Sequence, residues 1–131
     1  MNNQRIDGII REYADNIEEE SLGYWRYTYR GQVVLTITDE AHNRMRIICP
    51  IALSKDVNDQ QLRVCMEANF DRALDARYAI SGDYLWSAFI HPLTELTDSQ
   101  FINALEQAVT LAANYGTTFS SGDLLFGDGA Q

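Results

Sequence analysis

The chain has 131 residues, of which 46% are hydrophobic, enough for one domain with a single core and too many for wholesale disorder. Its formal charge is −9 and its pI near 4.5, so long-range repulsion disfavours nucleic acid and anionic membranes as partners and leaves basic or neutral ones. Met1 to Arg5 lead straight into an acidic amphipathic pattern, and no apolar run approaches the roughly 20 residues of a membrane span, which predicts a soluble cytoplasmic protein.

Ile6, Ile9, Ile10, Tyr13 and Ile17 recur at helical spacing while Arg5, Glu12, Asp15 and Glu19 point elsewhere, predicting a surface helix in the region that Gly23 ends. Glu18, Glu19 and Glu20 then read as its solvated end, where carboxylates oppose the helix dipole and favour fraying. From Tyr24 the period becomes two: Trp25, Tyr27 and Tyr29 share one face of a strand, and Arg26, Thr28 and Arg30 the other. Gly31-Gln32 predicts a tight turn, residues 33–38 a second strand, and Arg44 to Cys49 a third with Met45 and Ile47 inward, closed by Pro50.

Asn58 and Gln61 form a reciprocal cap for a second helix, with Val57 and Leu62 as its staple. The predicted apolar stripe is Leu62, Cys65, Met66, Asn69, Phe70 and Ala73. Asn69 interrupts it, and a buried amide without partners costs about 1–3 kcal/mol, so Asn69 is expected to tie the helix end to the next strand. Tyr78 to Ile80 and Tyr84 to Ile90 flank Ser81-Gly82-Asp83 as a hairpin that His91-Pro92 ends. Thr97 caps the last helix with Gln100 as its capping-box partner and Leu96 with Phe101 as its staple. Its stripe is Phe101, Ile102, Leu105, Ala108, Val109, Ala112 and Tyr115, and Gly116 stops it.

The predicted order is α-β-β-β-α-β-β-α, an α+β domain over residues 1–116 with a single antiparallel sheet covered by helices, and a loosely held tail over 117–131. Cys49 and Cys65 both sit in apolar patterns and read as reduced core thiols. His42 and His91 are separated by several elements and lack metal-ligand spacing, no serine lies in a nucleophile context, and the tail glycines lack the lysine of a phosphate loop. No catalytic residue, cofactor or metal is therefore expected.

Charge is unevenly placed: residues 1–22 carry two arginines against six carboxylates, whereas residues 23–50 carry four arginines against Asp39 and Glu40. Arg26 and Arg30 share one strand face and Arg44 and Arg46 another. The ordinary reading is a solvated sheet face. The functional reading is that this face, or the Trp25, Tyr27, Tyr29 face where helices leave it uncovered, receives an extended acidic or apolar peptide.

Met66-Glu67-Ala68-Asn69-Phe70, then Ala76 to Ile80, Asp83 to Ile90 and Leu96-Thr97, in an acidic chain of this element order, resemble the type III secretion chaperone-like fold and, more closely, the YbjN-like bacterial proteins. The resemblance spans roughly Ile6 to Tyr115. It implies a non-enzymatic homodimer, often joined through the middle helix, that binds an extended partner segment without ATP. A small-molecule sensor or an unrecognised enzyme using a pocket between helix and sheet is the alternative, and a structural subunit of a larger assembly a third.

Overall fold

The side chain of Asn2 accepts the Arg5 N–H at 2.9 Å and so opens α1 (Asn3–Tyr13), whose Ile6, Ile9 and Ile10 are buried. A computed structural model describes residues 1–71 and 73–115. The helix ends sooner than the isoleucine spacing predicts: Ala14 is extended, its N–H closing on Ile10 O at 2.9 Å, and Asn16 takes a left-handed φ of 54°.

Residues Asp15–Ser21 then form a strand, β1, which the sequence reading placed in the first helix. Ile17 lies four residues beyond Tyr13, so it satisfies the helical stripe, and the other side chains of β1 are polar and exposed. Backbone pairing with β2 (Tyr24–Tyr29) decides the matter, in a ladder whose register shifts twice. Glu18 to Glu20 therefore line a strand at the sheet edge, where carboxylates discourage further pairing, and no helix dipole acts on them.

Gly23, φ 79°, turns the chain between these strands. A Cβ there would meet Thr38 Oγ1 at 2.7 Å, so the left-handed φ and the close approach both require glycine.

The sheet continues through β3 (Gln32–Asp39) and β4 (Arg44–Leu53). Pro50 lies inside β4 instead of closing it. Pairing with β3 ends at Ile48, and the register with the neighbour on the other side shifts between Pro50 and Ala52, so the missing N–H falls where the ladder is already irregular. A 3-10 turn at Ser54–Asp56 leads to α2 (Asp59–Asp71). Its cap is the predicted one: Asn58 N–H donates to Gln61 Oε1 at 2.9 Å, and Gln61 N–H to Asn58 Oδ1 at 2.8 Å.

The hairpin β5 (Arg77–Ser81) and β6 (Tyr84–Pro92) and the helix α3 (Asp98–Asn114) complete the described chain. Thr97 and Gln100 form the full capping box, with Leu96 and Phe101 both buried as the staple. Gly116 and the tail 117–131 lie outside the described residues. The result is a six-stranded antiparallel sheet in the order β1-β2-β3-β4-β6-β5. It is the α+β class that the sequence predicts, with one strand more.

The described helices occupy one side of the sheet. Ile6 and Ile10 of α1 and Phe101, Leu105 and Ala108 of α3 close over Trp25, Tyr27, Val34, Met45, Ile47 and Phe89. Smaller side chains of α2, Val64, Cys65 and Ala68, seat it on Ala76, Tyr78 and Leu85 at the β5–β6 end. Polar groups inside are partnered: Tyr27 OH with Thr36 Oγ1 at 2.7 Å, Ser87 Oγ to Ala108 O at 2.8 Å, and Tyr78 OH to Leu111 O at 2.8 Å.

Candidate partner-binding surface

Residues paired across antiparallel strands project to the same face. One row on the side away from the helices is therefore Arg26, Leu35, Ile48 and Ala88, and the next is Tyr24, Ile37, Arg46 and Ile90. Arg44, two residues from Arg46, projects the same way. Val33 is 40% exposed and Ile90 50%, so apolar side chains are left in water beside exposed Arg26, Arg44 and Arg46. No described helix covers this face.

The three candidate aromatics lie elsewhere. Trp25 (0% exposed), Tyr27 and Tyr29 are sealed beneath α1 and α3, which removes them from any surface this chain presents. Their polar atoms are committed to the core's rim: Trp25 Nε1–H donates to Asp7 Oδ1 at 3.1 Å, and Tyr29 OH donates to the Glu106 carboxylate. Burial pushes the Tyr27 hydroxyl well above the usual phenol range, and burial, then the Glu106 contact, raises that of Tyr29.

Arg30 also leaves the predicted face. Alternation stops at Tyr29, where the strand ends; Arg30 takes a φ of 51° in the turn with Gly31. Its guanidinium lies 5.6 Å over the Tyr29 ring and 3.1 Å from Glu106 on the helix side.

Other described arginines are likewise engaged: Arg5 with Asp98, Arg11 with Asp7, and Arg63 with Glu67. Arg77 donates to the carbonyls of Leu74 and Ala76. Arg26, Arg44 and Arg46 form no ion pair with a described residue. The structure thus brings three of the four candidate arginines together with apolar residues that the sequence reading did not single out. Val33-Val34-Leu35 carried the signal, since a strand apolar at consecutive positions has greasy side chains on both faces.

A second exposed apolar stripe runs along α2. The helix is rotated from its predicted setting: Cys65 and Ala68 face the sheet, while Met66 is 62% and Phe70 90% exposed, with Leu62 also outward. The cause is that α2 docks through Val64, Cys65 and Ala68, side chains small enough to let it sit close. Asn69 acts as expected, its amide bonded to the Tyr78 backbone.

The histidines stay apart. His42 Nδ1 meets Asp39 Oδ2 at 2.8 Å in the β3–β4 loop, and the His91 ring stacks on Phe89 at 5.8 Å. Among the described residues, no group of three or more His, Cys, Asp or Glu side chains is placed to hold a metal. A groove of about 630 Å³ lies between β6 and α3, lined by Asp75, Arg77, His91, Asn103 and Gln107 among others. Gln107 spends its amide on the backbone N–H groups of Asp75 and Ala76 and on Asn103 Oδ1, so it pins the α2–β5 connection.

No protein-family model matches the chain, and no curated protein matches it. Solved structures do. A chain of the HopA1–SchA chaperone–effector complex is similar with a TM-score of 0.62 and 12% identity, over 83% of this chain and 88% of that one. The complex of the Yersinia pestis type III secretion chaperone SycH with a stable fragment of YscM2 is similar with a TM-score of 0.62 and 16% identity, over 87% of this chain and 98% of that one. The fold is therefore the α+β secretion chaperone-like fold, with an open antiparallel sheet of six strands and three α-helices among the described residues. No helix among the described residues is long and apolar enough to cross a membrane.

Proposed function

We propose that this chain is a non-enzymatic, cytoplasmic binding module that holds a segment of another polypeptide on the open face of its sheet. The observation that carries this reading is that face itself: rows of apolar side chains, flanked by unpaired arginines, with no described helix over them. Burying one such side chain fully is worth about 1.5–3 kcal/mol, so a segment laid across several of them gains enough to offset its ordering. The two structural neighbours, both complexes with an effector or a fragment of another protein, support a protein partner. The YbjN-like relationship is the finer reading within this fold, and it rests on the Met66 to Phe70 stretch and its Asn69 tie.

The same chemistry argues for a homodimer along α2. Met66 and Phe70 have no described neighbours to bury them, and a symmetric copy of the stripe covers them at no new polar cost.

A photo-reactive side chain at Ile90, on the open face, is expected to capture one defined polypeptide in the native cell, while the same group at Glu12, on the exposed side of α1, captures none. Equal capture from both positions, or none from either, overturns the reading. A small molecule in the β6–α3 groove is the alternative, favoured by its volume and mixed lining. A large thermal shift with one metabolite class and no captured polypeptide establishes that alternative.

A further inference from the structure

We infer that the held segment is acidic and extended, with carboxylates four residues apart and an apolar side chain midway between them; this rests on the open face being the holding surface. An acidic protein that engages its other described arginines with carboxylates or carbonyls leaves Arg26, Arg44 and Arg46, all on that face, with neither. Asp15, Glu18 and Asp39 share that face, and none forms an ion pair with these arginines. Glu18 stands opposite Arg26 and Asp39 opposite Arg44 in the strand registers, yet no ion pair forms, and Asp39 is engaged by His42.

Spacing sets the form of the ligand. Arg44 and Arg46 are two residues apart on β4, about 7 Å, which matches the repeat of an extended segment. Arg26 lies two strands and two residues from Arg46, roughly 12 Å away, close to the span of four extended residues. Leu35 and Ile37 flank the line from Arg26 to Arg46 and receive the apolar side chain two residues from each carboxylate, which projects to the same face of an extended segment. A basic segment is repelled by the same three charges.

The test uses the full chain and three short labelled peptides in which every second residue is Ser and the positions between alternate Leu with Glu, Gln or Lys, so that both kinds of side chain share one face, read by fluorescence anisotropy. The Glu peptide is expected to bind most tightly, to weaken as salt is raised, and to lose about tenfold in affinity in an Arg26→Ala/Arg46→Ala variant. Both side chains are exposed, so an unchanged thermal midpoint confirms that the variant folds. Equal affinity for the three peptides, lost only on Ile90→Asp, overturns the acidic segment and leaves the holding surface standing. Binding of no peptide while Ile90 still captures a polypeptide in the cell also overturns it. A change in mass of the double variant by light scattering assigns the face to a second copy and overturns it too.

Discussion

The side chain of Asn69 grips the backbone of Tyr78 with both ends of its amide: Nδ2 donates to Tyr78 O at 3.0 Å and Oδ1 accepts the Tyr78 N–H at 2.7 Å. One residue of α2 thereby stands in for a strand neighbour of β5. Asn69→Ala is expected to lower stability by about 1–3 kcal/mol, read by urea unfolding, because two backbone groups lose their partner. Asn69→Asp keeps the acceptor and sets a carboxylate against a carbonyl. Its loss should shrink as the pH falls and the carboxyl gains a proton to donate; a loss that is the same at every pH contradicts the role assigned to the amide.

Asp7 is shared between Arg11, whose Nε donates to Oδ2 at 2.9 Å, and the buried Trp25 indole. The Arg11 bond holds the carboxyl below its usual range; burial opposes it as the next-largest effect, and the Trp25 bond adds to the lowering. A depressed folded pKa means that this stability is present above the ordinary carboxylate value, about 4, and is lost as pH falls through the folded value. Asp7→Asn keeps an acceptor for Trp25 and should flatten that acid limb. Asp7→Ala strands the indole N–H and should cost about 1–3 kcal/mol at neutral pH. Thermal melts of the two variants across the acid range check both statements.

Cys49 and Cys65 are buried, and burial pushes each thiol up to about 12. A thiol reagent at pH 8 should therefore titrate neither in the folded chain and both after denaturation. Reaction of one cysteine in the native protein shows that its element opens faster than the fold as a whole.

Phe70 is 90% exposed on α2. Phe70→Asp should change the unfolding free energy of a single chain by no more than about half a kcal/mol, since little of its burial is lost. By light scattering the variant should weigh one chain where the unaltered protein weighs two. An unchanged mass removes α2 from the assembly.

The elements that pack are the ones that were legible. Trp25, Tyr27 and Tyr29 announce their strand because a buried face enforces alternation, and Thr97 with Gln100 announces a helix start because the capping box is local. β1 was not legible: its pairing uses backbone groups that every residue carries, and Ile17 suits helix and strand alike. Arg30 misled because strand parity holds only inside the strand, and the turn redirects the side chain toward Glu106. The setting of α2 misled because Leu62, Met66 and Phe70 outweigh Val64, Cys65 and Ala68 in greasiness, while closeness of approach favours the smaller set. For the candidate surface, composition revealed the arginines but not their neighbours, since the apolar outer residues of β3 and β6 become one patch only when the strands are put in order.

Because the described helices cap one side of the sheet, the side chains that keep the chain folded and those on the opposite side come from alternate positions of the same strands. Replacing Arg46 or Ile90 therefore rewrites what is displayed without disturbing Met45, Ile47 or Phe89 beneath. Such a scaffold can change its clientele one letter at a time and still melt at the same temperature.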